Sequence, residues 1–318
     1  MNISLQRDGL LPSAFLKDVL AGLSKSPQKT LSPRWLYDQI GSKLFEQITD
    51  LPEYYVTRTE LAVLADIAPR LARKIGPDAT IVEYGAGAAQ KIRILLDALE
   101  HPHAYVAIDI SFDHLVDAVK PIEADYPALK VLPVKSDFLS DHVVAPLAEK
   151  GTKFGFFPGS TIGNLSDAEI AHFLSSARAL LGDGSKFILG ADLKKDPGIL
   201  IPAYDDAAGI TAAFNLNLLT RINRELLGTL NIAQFAHRAI WSAQNSRVEM
   251  HLESLVDQSF SIAGQNFSTQ AGETIHTENS RKFTRAQLEG LVATSGWRID
   301  LFETDARNYF SILLLSAC

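Results

Sequence analysis

The run Thr80-Ile-Val-Glu-Tyr-Gly-Ala-Gly-Ala-Ala-Gln-Lys91, followed by Tyr105-Val-Ala-Ile-Asp109, carries the residue types that hold an adenosine group. It reads as an apolar strand, a glycine turn, a helix start and a second strand ending in an acid. Glycines let backbone approach a ligand closely, and an acid at the second strand's end accepts from ribose hydroxyls. Gly85, Gly87 and Asp109 are therefore the first candidate binding residues. A dinucleotide fingerprint wants Gly or Ala at its third glycine position, where the helix packs closely and pyrophosphate docks. Gln90 stands there, with Lys91 next, and Glu83 lies two residues before Gly85. This variant favours S-adenosylmethionine (SAM), with a dinucleotide as the second reading.

Helices and strands alternating from about Thr59 to Leu193 must position that turn. Leu61, Leu64, Ile67 and Leu71 fall at helical spacing within Glu60–Lys74, and Ile81-Val82 begins the first strand. Ala104–Ile110, Leu129–Val134, Lys153–Phe157 and Lys186–Leu193 read as further strands, with the amphipathic segment Phe112–Ala124 between two of them. Ser166-Asp-Ala-Glu169 is a capping box opening a helix to Leu181, which Gly182-Asp-Gly184 stops. The alternation predicts a doubly wound parallel sheet. It breaks over residues 195–282, where a helical region (Tyr204–Leu227) and alternating segments such as Arg247–Leu252 appear. A second capping box at Thr284–Gln287 then restarts a helix, followed by strands over Trp297–Glu303 and Tyr309–Leu315. The expected architecture is α/β: a class I, Rossmann-like sheet domain (58–194 plus 283–318) interrupted by a second α+β lobe (10–57 plus 195–282) that binds substrate.

Composition narrows the partners. The chain has 318 residues, 47% of them hydrophobic, enough for a large core. A formal charge of −7 argues against general nucleic-acid binding, which needs clustered Lys and Arg; the densest pairs are Lys194-Lys195 and Arg281-Lys282. The only cysteine is Cys318, so no internal disulfide framework or cysteine-based zinc site is expected. The eight histidines show no metal spacing, and none is assigned a role. Met1–Gly9 lacks an apolar signal core and no long apolar run occurs, so a cytoplasmic protein without membrane association is expected.

Longer segments go further than the turn. Tyr37-Asp-Gln-Ile-Gly-Ser-Lys-Leu-Phe45, Leu51-Pro-Glu-Tyr-Tyr-Val-Thr-Arg-Thr-Glu60 and Phe157-Pro-Gly-Ser-Thr-Ile-Gly-Asn164 resemble the histidine-specific Nα-methyltransferases. So do Tyr204-Asp-Asp-Ala-Ala-Gly209, Arg247–Leu252 and Thr277-Glu-Asn-Ser280. The resemblance runs in order from about Leu31 to Leu315. It implies SAM as methyl donor without a metal, three methyl transfers to the α-amine of L-histidine giving hercynine, the first step of ergothioneine synthesis, and a monomer. It implies that Lys91 meets the methionine carboxylate of SAM and that Asp137 and Phe138 flank the adenine. Asn164, Tyr37 and Phe45 would surround the reacting amine. Tyr204 would hold the substrate carboxylate, and Tyr54, Met250, Glu278 and Ser280 would line the imidazole pocket. The family's hydroxyl residues near the turn are replaced by Ala88-Ala89, which removes any side-chain hydrogen bond from that point.

These assignments make chemical sense. An imidazole offers one donor and one acceptor, or two donors when charged, so a carboxylate and a hydroxyl suit it. Each residue also has an ordinary structural role open to it. Tyr54-Tyr55 beside Pro52 could form a packed aromatic corner, Tyr37, Phe45 and Met250 could be core, and Asn164 could cap a helix. Glu278, in the polar stretch Glu273–Ser280, could be a solvated loop acid. Competing functions are methylation of another small amine or aromatic amino acid, a non-catalytic SAM-binding relative, and an NAD-dependent oxidoreductase, which Gln90 disfavours.

Overall fold

In the computed structural model, residues 13–87, 89–140 and 151–318 are described. Residues 10–12 of the expected second lobe, the Met1–Gly9 stretch and Ala88 lie outside them. The chain opens with α1 (Ala14–Leu23), β1 (Lys29–Thr30), a 3-10 turn (Pro33–Leu36) and α2 (Gln39–Thr49). Next come α3 (Tyr55–Ile75), β2 (Thr80–Tyr84), α4 (Gln90–Ala98), β3 (Ala104–Asp109), α5 (Phe112–Asp125) and β4 (Lys130–Lys135). They are followed by β5 (Lys153–Phe157), a 3-10 turn (Thr161–Asn164), α6 (Asp167–Leu181) and β6 (Lys186–Asp192). The chain continues through α7 (Pro197–Leu200), α8 (Ile210–Leu226), β7 (Phe235–Ser242), β8 (Arg247–Ser254), β9 (Gln258–Ile262), β10 (Gln265–Thr269) and β11 (Thr274–Arg281). It ends with α9 (Arg285–Thr294), β12 (Trp297–Thr304) and β13 (Phe310–Ala317).

Seven strands form the central sheet in the order β12-β13-β6-β5-β2-β3-β4. The five from β4 to β6 run parallel, while β13 and β12 add as an antiparallel pair at one edge. This is the Rossmann-like class I methyltransferase sheet that the alternation predicts. Its faces are covered by separate cores, and β2 shows why both must be apolar. Ile81 belongs to one core with Tyr105, Phe156 and Ile188; Val82 and Tyr84 belong to the other with Val106, Phe157 and Leu189. Side chains alternate across a strand, so a strand covered on both faces needs a nearly continuous apolar run. Both capping boxes form, Ser166 with Glu169 and Thr284 with Gln287, and set the start of α6 and α9.

A second sheet, β1-β11-β8-β7, and the hairpin β9–β10 are built from the N-terminal arm and residues 235–281. Helix α8 packs on β7, β8 and α2. Three details differ from the sequence expectation. Helix α3 begins at Tyr55 rather than Glu60. Helix α8 begins at Ile210 rather than Tyr204, because the Asp206 carboxylate accepts from the backbone N–H groups of Ile210 (3.0 Å) and Thr211 (2.7 Å), making residues 204–209 its entry turn. The polar stretch at Glu273–Ser280 is not a solvated loop: it falls largely within β11, paired to β8 on one side and β1 on the other.

Close packing gives two glycines opposite roles. A Cβ on Gly155, in β5, would lie 2.3 and 2.4 Å from ring atoms of Phe187, whereas one on Gly290, in α9, would meet nothing within 4 Å. Gly155→Ala should therefore destabilise the protein by about 1–3 kcal/mol through overpacking. Gly290→Ala should be neutral or stabilise it by up to about 1 kcal/mol through helix propensity. Urea unfolding of the two variants checks the pair; equal effects would contradict the packing described.

Candidate active site

The parallel strands reverse their direction of propagation at β2: the chain runs β2–β3–β4 one way and β5–β6 the other. Loops diverge at such a point and leave a crevice at the carboxyl ends of the strands. Here that crevice opens into a cavity of about 1310 Å³, closed from the other side by α2, α8, β8 and β11. Every residue singled out in the sequence lines it: Gly85, Gly87, Lys91, Asp109, Asp137 and Phe138, and Tyr37, Phe45, Tyr54, Asn164, Tyr204, Met250, Glu278 and Ser280.

On the sheet side, Gly85 takes φ +75°, a region a side chain disfavours, and its N–H and that of Ala86 donate to the Ile108 carbonyl. A Cβ on Gly87 would project into open space, so this backbone is free to lie against a ligand. Asp109 ends β3, and one of its oxygens accepts from Ser111 N–H at 2.7 Å. Burial pushes the Glu83 carboxyl up to about 8, although it accepts from the Tyr105 hydroxyl at 2.6 Å. Arg34, on the N-terminal arm, reaches Asp137 at 3.1 Å and also pairs with Asp18. Phe138 packs edge-on against Phe157 and Phe173, with its ring edge 4.0 Å from where a Gly85 Cβ would stand. The turn thus has the open backbone, terminal acid and aromatic flank that an adenosyl group requires.

Lys91 has a partner that the sequence reading missed. Its Nζ lies 2.6 Å from Glu60 on α3, whose side chain is only 1% exposed. Both Glu60 oxygens accept from Gly159 N–H, at 2.8 and 2.9 Å. Gly190 leaves room for this carboxylate, since a Cβ there would stand 2.4 Å from it. A signal was available: Glu60 interrupts the buried stripe Val56, Val63, Leu64, Ile67, and a charge on an apolar stripe needs a partner.

The far wall is aromatic. Tyr37 meets Phe45 (5.5 Å between ring centres) and Phe214 (5.4 Å), and Phe45 also meets Tyr54, which meets Tyr204. Phe214, on α8, went unnoticed because its helical spacing marks it simply as core. Burial raises the phenols of Tyr37, Tyr54 and Tyr204, so all three are neutral hydroxyls.

Glu278 owes its place to a bulge. The β11–β8 register slips between His276 and Glu278, leaving Thr277 as the extra residue. Bulges re-aim the side chains that follow them. The buried positions Ile275 and Thr277 give way to Glu278, Ser280 and Lys282, a shift of one residue. Burial lifts the Glu278 carboxyl to about 8, with Lys282 opposing the shift, and Asn164 donates to it at 3.4 Å. Asn164 itself ends the 3-10 turn, while Ser166 caps α6. Met250 is buried on β8 directly opposite Glu278.

Below this wall lies a buried polar cluster that the sequence reading passed over. Asp192 pairs with Lys282 (2.7 Å) and Lys195 (2.5 Å) and accepts from the Tyr55 hydroxyl (2.6 Å). Lys282 in turn reaches Tyr204 and Ser280, both at 2.8 Å. On the second sheet, Glu249, His251 and His276 bring potential ligand atoms within 4.8 Å of one another. Glu249 already pairs with Arg247 (2.7 Å) and His251 (3.2 Å), His276 bonds to the Glu278 carbonyl, and the two imidazoles stack.

Comparison with known proteins agrees with this geometry. Residues 15–317 match the family described as histidine-specific methyltransferase, SAM-dependent. The chain is 40% identical to a histidine N-alpha-methyltransferase of Mycolicibacterium smegmatis over 95% of its length and 94% of the relative's. It is 37% identical to one of Mycobacterium tuberculosis over the same shares. A Neurospora crassa protein named ergothioneine biosynthesis protein 1 is 30% identical over 86% of this chain, which spans 31% of that longer protein. The match over nearly the whole chain, on a methyltransferase sheet with an adenosyl-type turn, places this chain in the family of histidine-specific, SAM-dependent methyltransferases.

Proposed function

We propose that this chain methylates the α-amine of L-histidine three times with SAM, giving hercynine, the first step of ergothioneine synthesis. The observation that carries this reading is Glu278: a carboxyl buried inside an aromatic-walled cavity, where burial pushes it up to about 8 and favours its protonated form. A protonated carboxyl donates to an unprotonated ring nitrogen and accepts from an N–H, so it suits an imidazole. A phenyl ring would leave it unpaired, and an indole, which has a donor N–H and no acceptor nitrogen, would leave the carboxyl O–H unpaired, which is how polar pockets reject poorer analogues. The names of the relatives support the same substrate.

In this reading the second sheet, α8 and the N-terminal arm form the substrate lobe. Gly85, Gly87, Asp109, Asp137 and Phe138 hold the adenosine end of SAM, and Lys91, anchored on Glu60, holds its carboxylate. SAM supplies an electrophilic methyl on a sulfonium that is its own leaving group, so the residues need no metal to activate it. The α-amine nitrogen attacks with its lone pair, and the new N–C bond forms as the S–C bond breaks. Before each round the nitrogen must be neutral. An α-amine titrates at about 8 in peptides and somewhat higher in a free amino acid, so it can lose its proton to water near neutral pH without a dedicated base. Orientation then carries the rate. Asn164 holds the amine, Tyr204 the carboxylate, and Tyr54, Met250, Glu278 and Ser280 the ring. Tyr37 and Phe45, backed by Phe214, face a nitrogen that ends as a permanent cation; an aromatic face stabilises a cation by roughly 0.5–2 kcal/mol without a hydrogen bond. The protein works on a small molecule, as a cytoplasmic monomer without metal, nucleic acid or membrane. Among the described residues no helix is long and apolar enough to cross a membrane.

Incubation of the protein with SAM and an equimolar mixture of the common amino acids, read by mass spectrometry, should show a gain of three methyl groups on histidine alone. Methylation of a different amino acid would overturn the substrate, and no methylation would overturn the enzyme reading. Glu278→Ala should raise the KM for histidine roughly 10- to 100-fold, the loss expected for a hydrogen bond to a charged or polar anchor, while SAM affinity stays unchanged. Equal losses for both ligands would remove Glu278 from the ring pocket. The same carboxyl makes stability depend on pH. Its folded value of about 8 lies above the ordinary value of 4.5, so its favourable contribution is complete below about 4.5 and is lost as pH rises through 8. Melting curves from pH 5 to 9 should therefore show Glu278→Gln gaining on the unsubstituted protein as pH rises; a constant difference would mean that Glu278 is ionised throughout.

A further inference from the structure

Both basic pairs noted in the sequence turn one member inward. Lys194 is exposed and Arg281 pairs near the surface with Asp167, whereas Lys195 and Lys282 converge on Asp192. The Lys282 side chain is fully buried, and its Nζ lies 2.7 Å from Asp192, 2.8 Å from the Tyr204 hydroxyl and 2.8 Å from the Ser280 hydroxyl. An ammonium has three N–H bonds and no acceptor, so all three are used and both hydroxyl oxygens act as acceptors. The two hydroxyl oxygens are also 2.7 Å apart, so one donates to the other. Two hydroxyls carry two hydrogens. One is spent within the pair, and one is left to point into the cavity that both residues line.

Charge acts in the same sense. The Asp192 carboxylate is shared by two ammonium groups, at 2.7 and 2.5 Å. Burial pushes the Lys195 ammonium down to about 8 and lowers Lys282 as well, while Asp192 opposes both shifts, helped by Asp305 at Lys195 and Glu278 at Lys282. The single outward hydroxyl hydrogen is therefore backed by the Lys282 ammonium 2.8 Å from each hydroxyl oxygen, which polarises it toward an anion.

We infer that Lys282 is a positioning residue for substrate recognition: anchored on Asp192, it fixes the polarity of the Tyr204–Ser280 hydroxyl pair so that one O–H donates to the carboxylate of an α-amino acid. This rests on reading the cavity as an amino-acid N-methyltransferase site. With a carboxylate bound, Ser280 donates to Tyr204 and Tyr204 donates outward. Ser280 keeps a lone pair that can accept from an imidazole N–H. An amine lacking the carboxylate leaves the Tyr204 O–H unpaired beside a buried cation, so the site discriminates histidine from histamine.

Lys282→Met keeps the length and bulk of the side chain without the charge. Asp192 is not stranded by it, because Lys195 (2.5 Å) and the Tyr55 hydroxyl (2.6 Å) remain. The test is calorimetric titration of the protein, loaded with S-adenosylhomocysteine, with histidine and with histamine, alongside turnover of both. Lys282→Met should weaken histidine binding roughly 10- to 100-fold and reduce the histidine-over-histamine preference by a similar factor, with S-adenosylhomocysteine affinity unchanged. In a Tyr204→Phe background the same substitution should do little more, since the two residues act through one hydrogen. Should Lys282→Met not fold, Tyr204→Phe alone must still erase the preference. Retention of the preference by folded Lys282→Met, or by Tyr204→Phe, overturns the inference alone. An unsubstituted protein that binds no histidine overturns both it and the reading on which it rests.

Discussion

Asp192 is the residue on which the two halves of this molecule meet. It ends β6 in the middle of the central sheet, with its backbone N–H donating to Ser160 and its carbonyl accepting from Phe283. Its fully buried carboxylate gathers Tyr55 from the start of α3, Lys195 from the following loop and Lys282 from the end of β11. Removing such charges from water costs several kcal/mol per ion, which mutual attraction repays only with good geometry and satisfied hydrogen bonds. Here each partner belongs to a different segment, so the bonds that offset desolvation also fix where β11 stands relative to the nucleotide turn. The four-stranded sheet is thereby held with Glu278 and Ser280 turned toward the carboxyl ends of the parallel strands.

The cavity above this cluster is lined by groups of different character. Lys282 and Lys195 share the Asp192 carboxylate beneath it, Glu278, which burial pushes up to about 8, lies near enough to Lys282 to feel its charge, and the rings of Tyr37, Phe45 and Phe214 line the same space. A zwitterionic amino acid with a polar ring fits that lining under the proposed reading: an anion toward the Tyr204–Ser280 pair, a nitrogen toward the rings, an imidazole toward Glu278. Glu60 plays the matching part on the cofactor side. It tethers Lys91 in the first turn of α4 and the Gly159 backbone together, so the helix after the glycine turn and the β5 loop share one buried anchor.

Much of this was legible in the sequence, and the misses have a common cause. The parallel sheet follows from alternation, and both capping boxes lie where Ser166-Asp-Ala-Glu169 and Thr284-Arg-Ala-Gln287 announce them. All the candidate site residues line one cavity: Gly85, Gly87 and Asp109 were read from the turn motif, and family resemblance selected the others as a set. Glu60, Asp192, Lys195, Lys282 and Phe214 were missed because each is defined by a partner far away in the chain. Lys282 and Asp192 are ninety residues apart, and a Lys in a basic pair reads as solvated until a buried acid appears beside it. The bulge at Thr277 is equally silent, since a register slip depends on which strand pairs with which, and a one-residue shift changes which side chains face inward.

The neutrality of Glu278 bears on how a cavity can carry out repeated methylation. In the proposed reaction the nitrogen gains alkyl groups until it can no longer donate a hydrogen bond, so groups that accept only from N–H lose their hold on it. Aromatic faces do not, because they attract charge rather than hydrogen. An ionised Glu278 would compete by drawing the permanent cation away from the rings and into the ring pocket. In the proposed reading, a Glu278 kept protonated by burial would bind the imidazole through hydrogen bonds that do not involve the nitrogen being methylated. Recognition of the ring is thus separated from the changing charge at the amine. Under the proposed reading, that separation would allow one binding mode to serve every round, while the inferred Lys282–Tyr204–Ser280 anchor would keep the carboxylate, and with it the nitrogen, on the line of the incoming methyl group.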